Sequence, residues 1–295
     1  VMADVIKRWG SLSLVANVGS AFSHTSYDVS GFQGGLKAPS NIFTPNGIDY
    51  NRVSGDNRPI FDITRHAIHS VLGSVELGWQ ERVYLTVTGR NDWDSSLSNT
   101  AQQSFFYPSV GMSAILSKML KLPKFVDFLK FRTSWASVGS AISPNISSAW
   151  RYEYIPSTGT YHTVTYKFPD NFYPERTNSW EAGMTAHLFK EAMSVKFTLY
   201  QSDTKNQTFL RSITLGGAFN REYIQAGDVQ NRGLELSIGY NKKWSNLRWS
   251  TSMTYSTNRN RVVRLLDNPN ETLRQGGLNG CEVILTQGGT MGDLY

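Results

Sequence analysis

A chain of 295 residues has room for one large β domain or two ordinary domains, and 40% hydrophobic with 18% charged residues excludes a disordered or hyper-charged chain. The net charge of +6 comes from scattered Lys and Arg without a dense basic run, which argues against a nucleic-acid partner. The single cysteine, Cys281, excludes an internal disulfide and a multi-cysteine zinc site, and no apolar run is long enough for a membrane-crossing helix.

The N-terminal stretch VMADVIKRWGSLSL has no apolar signal region, and both ends read as interior sequence, so the chain is expected to be part of a longer one. From there period-two alternation dominates. It marks strands near 11–19, 71–79, 83–91, 108–117 and 128–138, then a pair in which Trp180, Ala182, Met184, Ala186 and Leu188 precede Val195, Phe197 and Leu199. A last pair carries Leu234, Leu236, Ile238 and Tyr240, then Leu247, Trp249, Met253 and Tyr255. Side chains two apart share a strand face, so each segment is apolar on one side and polar on the other. The result is an all-β chain of about nine strands with no amphipathic helix.

Such alternation fits a soluble sandwich, which hides the apolar face, or a transmembrane barrel, which turns it to lipid. Three features favour the barrel. Many strands reach the 9–11 residues that cross a bilayer at a tilt. Connections alternate between short (80–82, 189–192, 241–246) and long (23–66, 95–106, 140–177, 206–229), with 118–126 between the two, as in barrels with periplasmic turns and external loops. The polar positions are mostly Ser, Thr, Gly, Asn and Tyr, and Trp79, Trp180, Tyr240, Trp244 and Trp249 gather at strand ends as an interfacial belt does. The predicted fold is an antiparallel transmembrane β-barrel segment of a larger barrel.

The stretch GRNDWDSSL places Arg90, Asp92 and Asp94 where the strand 83–91 meets a long loop. Asp92, Asp94 and Ser96 imitate the start of a calcium loop, but its glycine and closing glutamate are missing. Without a neighbouring histidine the two carboxylates make no acid–base pair, and they are read as polar caps of the strand. His66 and His69 are three apart and fall on opposite strand faces. No nucleophile elbow, phosphate loop or zinc-protease motif occurs, so no catalytic, cofactor or metal site is expected. The candidate binding residues are aromatic and lie in 140–177: Trp150, Tyr152, Tyr154, Tyr161, Tyr166, Phe172 and Tyr173. Rings on loops can stack on sugars or hold peptide side chains, or can simply pack the loop down.

The segments YLTVTGRNDWDSSL, FFYPSVGMSAILSK and LKFRTSWASVGS resemble the barrel of SusC/RagA-type TonB-dependent outer-membrane transporters. Arg90, Asp92, Ser95 and Ser96 match that family's Arg-x-Asp-x-x-Ser-Ser element, and Tyr107, Pro108, Ser109 and Val110 match its Tyr/Phe-Pro-Ser-Val element. TNSWEAGMTAHLF, FTLYQSDTKNQ, GDVQNRGLELSIGY, WSTSMTYSTNRNRVVRL and GGTMGDLY continue the likeness in order, while Leu97 and Ser98 depart from it after the double serine. The resemblance implies a bacterial outer-membrane location and energy-coupled import of a nutrient, an oligosaccharide or a peptide. It implies as partners the TonB complex, a SusD-like surface lipoprotein and outer-membrane lipid, and no enzymatic step. It also implies that residues 1–295 are a partial barrel of the roughly 22-strand type, without the plug domain, the TonB box and the final strands. The alternative is a secreted soluble β-sandwich that binds carbohydrate.

Overall fold

The computed structural model describes residues 1–33, 35–38, 42–49, 58–98, 102–140, 150–155, 160–167, 173–212, 221–266, 268, 270–278 and 281–294. The first eight strands are β1 Met2–Trp9, β2 Leu12–Gln33, β3 Arg58–Trp79, β4 Val83–Asp94, β5 Ser104–Ile115, β6 Val126–Ser140, β7 Trp150–Ile155 and β8 Thr160–Lys167. The rest are β9 Glu175–Leu188, β10 Met193–Lys205, β11 Thr208–Ser212, β12 Arg221–Gln225, β13 Asp228–Lys243, β14 Arg248–Arg264, β15 Leu273–Leu278 and β16 Cys281–Leu285. Ten of them form one sheet in the order β1-β2-β3-β4-β5-β6-β9-β10-β13-β14. Every pair in it is antiparallel.

One register row across this sheet runs Trp9, Leu12, Trp79, Val83, Ala114, Phe131, Met184, Phe197, Leu236 and Tyr255, one residue from each strand. A row of opposite parity runs Asp4, Asn17, Ser74, Thr88, Ser109, Ala136, Ser179, Ser202, Asn231 and Asn260. Paired residues share a face, so one side of the whole sheet is apolar and the other polar. Val75, Val87, Val110, Met112, Met184 and Met253 of the apolar side remain exposed. A sandwich would cover them with a second sheet, and lipid covers them in a barrel. The expectation of a transmembrane barrel wall is borne out, and the sandwich is set aside.

The apolar band has bilayer dimensions. Two register rows bracket it ten positions apart, Leu12, Trp79 and Val83 on β2, β3 and β4 at one side and the aromatic row Phe22, His69 and Trp93 at the other. Ten positions are about 33 Å of strand, or about 25 Å of height at a tilt near 40°, the height of the apolar band of an outer-membrane barrel. The row of Val75, Val87 and Val110 continues through Trp135 and Trp180 into Gln201, Arg232 and Arg259. It thus leaves the apolar band toward one edge, as tilt requires.

The short connections lie where the sequence places them, at 80–82 and 189–192. In the first, Gln80 and Glu81 both have positive φ, 50° and 51°, and Arg82 N–H donates to Trp79 O at 2.9 Å. Two left-handed residues make the type I′ turn that matches strand twist, at a steric cost a glycine would avoid. Two expectations change. The chain contributes ten strands to the wall rather than about nine, because β1 is paired along all eight of its residues although MADVIKRW mixes polar and apolar side chains on both faces. Both arms of the predicted loop 23–66 are strand, residues 23–33 and 58–66: β2 and β3 pair from Leu12↔Trp79 to Gln33↔Arg58. Above the lipid the ladder continues while the apolar alternation that announces it stops.

Four further strands lie in the long connections at the other end of the sheet, and two more follow β14. They form a four-stranded sheet in the order β11-β12-β8-β7 and the hairpin β15-β16. A small core of Phe209, Val229, Val262, Leu265, Leu273 and Leu285 packs the tops of β13 and β14 against β11 and this hairpin. Gly227, at φ +91°, turns the chain into β13 beside Phe209, whose ring lies 3.2 Å from where a Cβ would be.

Candidate functional site

Three of the hydrogen-bonded groups on the polar face gather charged or amide side chains from neighbouring strands. In the middle of the wall Arg132 Nε and Nη2 donate to Glu181 Oε1 at 3.1 and 3.0 Å, and Nη2 also reaches Thr198 Oγ1 at 3.0 Å. Gly183 makes this possible, since a Cβ there would stand 2.9 Å from Arg132 Nε. Near the other edge Asn258 and Asn260 Nδ2 both donate to Asn231 Oδ1, at 3.3 and 2.9 Å. These are side chains for a wet surface: half-exposed ion pairs of this kind contribute about 0–1 kcal/mol to stability, and they leave donors and acceptors facing the enclosed space.

The third group is the Arg90–Asp94 cluster at the loop end of β3 and β4. Arg90 Nε donates to Asp92 Oδ1 at 2.6 Å and Arg90 Nη2 to Ser70 Oγ at 3.0 Å. Asp94 Oδ1 takes three donors: Ser96 N at 2.8 Å, Ser96 Oγ at 2.6 Å and His66 Nε2 at 2.7 Å. Asp94 thereby caps the short helix Ser95–Leu97, and Ser95 Oγ accepts from Ala67 N–H at 3.0 Å, so the loop folds back on β3. Where the sequence suggests caps of the strand, Asp94 ends β4 and caps the helix that follows, with one addition. The histidine missing from the local sequence arrives from the neighbouring strand, because the register pairs Ile68 with Asp94. His69 lies on the opposite face, where its ring packs on Phe22 at 4.5 Å between centroids. Both carboxylates are thus committed to protein donors. Among the described residues no group of three His, Cys, Asp or Glu is placed to share a metal.

The candidate aromatic residues divide by position. Trp150, Tyr152 and Tyr154 of β7 pair with Thr165, Thr163 and Tyr161 of β8. Trp150, Tyr152, Tyr154 and Tyr161 therefore share one phase of the hairpin, and Tyr166 falls in the other. Phe172 lies outside the described residues. Tyr173 is exposed just before β9, where its N–H donates to Gln225 Oε1 at 2.7 Å and its carbonyl accepts from Gln225 Nε2. Five of the seven thus lie in one hairpin, four of them in one register phase, and Tyr173 lies outside it.

What supports the hairpin was not legible in its own sequence. β8 pairs in parallel with β12 at Arg221↔Tyr166 and Glu222↔Lys167, and β12 pairs with β11. Arg211 clamps the pair, donating to Glu222 Oε2 at 2.9 Å through Nε and to Glu271 Oε1 at 3.0 Å through Nη1. Beyond β16, Val262 N–H donates to Gly289 O and Gly288 N–H to Val262 O, both at 2.8 Å. Asp293 closes that segment by accepting from Thr290 Oγ1 at 2.5 Å and Thr290 N–H at 2.8 Å, and these two bonds lower the pKa of its carboxyl group. A lowered folded-state pKa means the two bonds stabilise the turn above the ordinary carboxylate range, and this is lost as pH falls through the lowered value. The expected result is strong amide protection at Thr290 at neutral pH that falls away in acid. In Asp293→Asn it is insensitive to pH over the same span.

The sequence profile of the family described as TonB dependent receptor-like, beta-barrel, matches residues 4–279. A curated relative, TonB-dependent receptor P3 of Formosa agariphila, is 25% identical over 277 residues, covering 88% of this chain and 27% of the relative. The structure of the RagAB peptide transporter superposes with a TM-score of 0.76 at 19% identity, covering 97% of this chain and 32% of that one. The open-open state of the RagAB peptide importer gives 0.78 at 17% identity, covering 98% and 31%. At these identities the structures establish the shared fold. The chain spans about a quarter of the length of the curated relatives it matches.

Proposed function

Because the chain belongs to the TonB-dependent receptor-like β-barrel family, an outer-membrane family, we propose that it forms part of the barrel wall of a TonB-energised importer. The proposed cargo is a peptide or an oligosaccharide, received together with a SusD-like surface lipoprotein. A plug domain and the segment that contacts TonB would belong to the full-length protein of which residues 1–295 form a part. The observation that carries this reading is the two-faced ten-stranded wall, polar within and apolar without, topped by an aromatic hairpin at its long-loop end. Long external loops on a rigid barrel are where a receptor meets its cargo. Peptide import by the RagAB structures supports a peptide as the first cargo to test.

The test is uptake of labelled peptides and of labelled oligosaccharides by cells expressing the full-length gene with its lipoprotein partner. The double substitution Trp150→Ala with Tyr154→Ala is expected to weaken apparent affinity about tenfold, since each aromatic contact contributes about 0.5–1.5 kcal/mol beyond the area it buries. Barrel assembly should be unchanged. Unaltered uptake of both cargo classes would remove the hairpin from the binding site.

A further inference from the structure

The apolar face is not uniform. Across β6, β9 and β10 it carries Phe131, Trp135, Trp180, Met184 and Phe197, while across β1–β5 it is hollowed by a groove of about 610 Å³. Small residues make its floor: Ala3, Ala16, Gly73 and Gly89. The Phe106 ring lies over Gly89, 3.0 Å from where a Cβ would stand. Higher on the same strands a second hollow of about 570 Å³ is lined by Phe22, His69, Val71 and Trp93. From Ala16 to Phe22 is six positions on β2. That is about 20 Å of strand, or about 15 Å of depth at a tilt near 40°, half of a hydrocarbon core about 30 Å thick.

Above the second hollow the chemistry changes sign. His24 pairs with Ala67, and Arg65 pairs with Ser26, so His24 stands one diagonal step from both Arg65 and His69 on the apolar face. All three side chains are exposed. The nearby carboxylate on that face, Asp28, lies further out and accepts from Ser26 Oγ at 2.8 Å. Two successive hollows that span one leaflet below a guanidinium and two imidazoles match a tail joined to an anionic head. We propose that this face binds one lipid of the outer leaflet with a net anionic phosphate headgroup, its acyl chain in the hollows and its headgroup at His24, Arg65 and His69.

The full-length receptor, purified in detergent and titrated with phosphatidylglycerol or phosphatidylcholine, is read by native mass spectrometry for lipid retained per barrel. The wild type is expected to retain one phosphatidylglycerol, preferred about fivefold over phosphatidylcholine, the factor one interfacial cation gives. Ala16→Phe fills the groove from a side chain that already faces lipid, so the barrel should assemble and the retained lipid should be lost; Val75→Phe serves if that variant fails to assemble. Arg65→Gln should keep a lipid and lose the preference. Retention unchanged in both groove-filling variants, or equal retention of the two lipids by the wild type, overturns the proposal. Inorganic phosphate in the same titration should leave the lipid in place; displacement by phosphate alone would mark an anion site without a chain and would also overturn it.

Discussion

Leu236→Arg in the full-length receptor is expected to cost about 2–4 kcal/mol of barrel stability, the penalty for a cation on the lipid face near mid-membrane, whereas Ser256→Arg should cost little. Leu236 sits in the row of Met184, Phe197 and Tyr255, with Leu234 and Ile238 on either side of it on the same face. Ser256 neighbours Tyr255 in sequence but occupies the polar face, and its cross-strand partner is Glu235. An arginine there gains an opposite charge directly across the ladder. Ser237 makes a poorer control, because its register partner on β10 is Lys196 and a second cation would add repulsion. The measurement is denaturant unfolding of the reconstituted barrel, with membrane assembly scored alongside. Equal losses from the two arginines would mean that the faces are wrongly assigned. A loss confined to Leu236→Arg in a protein that fractionates with outer membranes fixes which side meets lipid.

The same register explains what could be read without a structure. Alternation such as Leu234-Glu235-Leu236-Ser237-Ile238 announces strand and faces together, because lipid on one side and water on the other demand it. Hairpins such as Trp79–Val83 followed from the length of the gap. Three things were not legible. β1 was hidden because Asp4, Ile6 and Arg8 share its inner face, so neither side of MADVIKRW reads as purely apolar. The arms of β2 and β3 beyond His24 and His66 stand above the lipid, where no rule ties side chain to face, and only the backbone ladder remains. The loop-end core joins Phe209, Val262, Leu273 and Leu285 from segments up to 76 positions apart, residues 209 and 285. No local pattern encodes a contact of that range. For the aromatic residues, sequence supplied the set but not the register, which sets Tyr161 opposite Tyr154.

Asp94→Ala is expected to open the loop that follows β4 at a local cost of about 3–5 kcal/mol, the range for removing one partner of a buried charged group. The carboxylate is 5% exposed, and one oxygen, Oδ1, accepts from His66 Nε2, Ser96 N–H and Ser96 Oγ. Alanine leaves those donors in place without an acceptor, and each buried donor left unpaired costs about 1–3 kcal/mol. The loss should fall on the short helix Ser95–Leu97, whose Leu97 is fully buried, rather than on the strand ladder beneath it. Hydrogen exchange of the full-length receptor should show Ser96 and Ser98 losing protection while β3 and β4 keep theirs. Asp94→Asn retains a neutral acceptor and should fall between wild type and alanine. Asp92→Asn should do less, because Asp92 answers chiefly to Arg90, whose side chain is 48% exposed and can turn to water. Unchanged protection at Ser96 in Asp94→Ala would show that packing of Leu97 holds the loop by itself. Loss of protection through β4 as well would show instead that the cluster clamps the upper wall in addition to the loop.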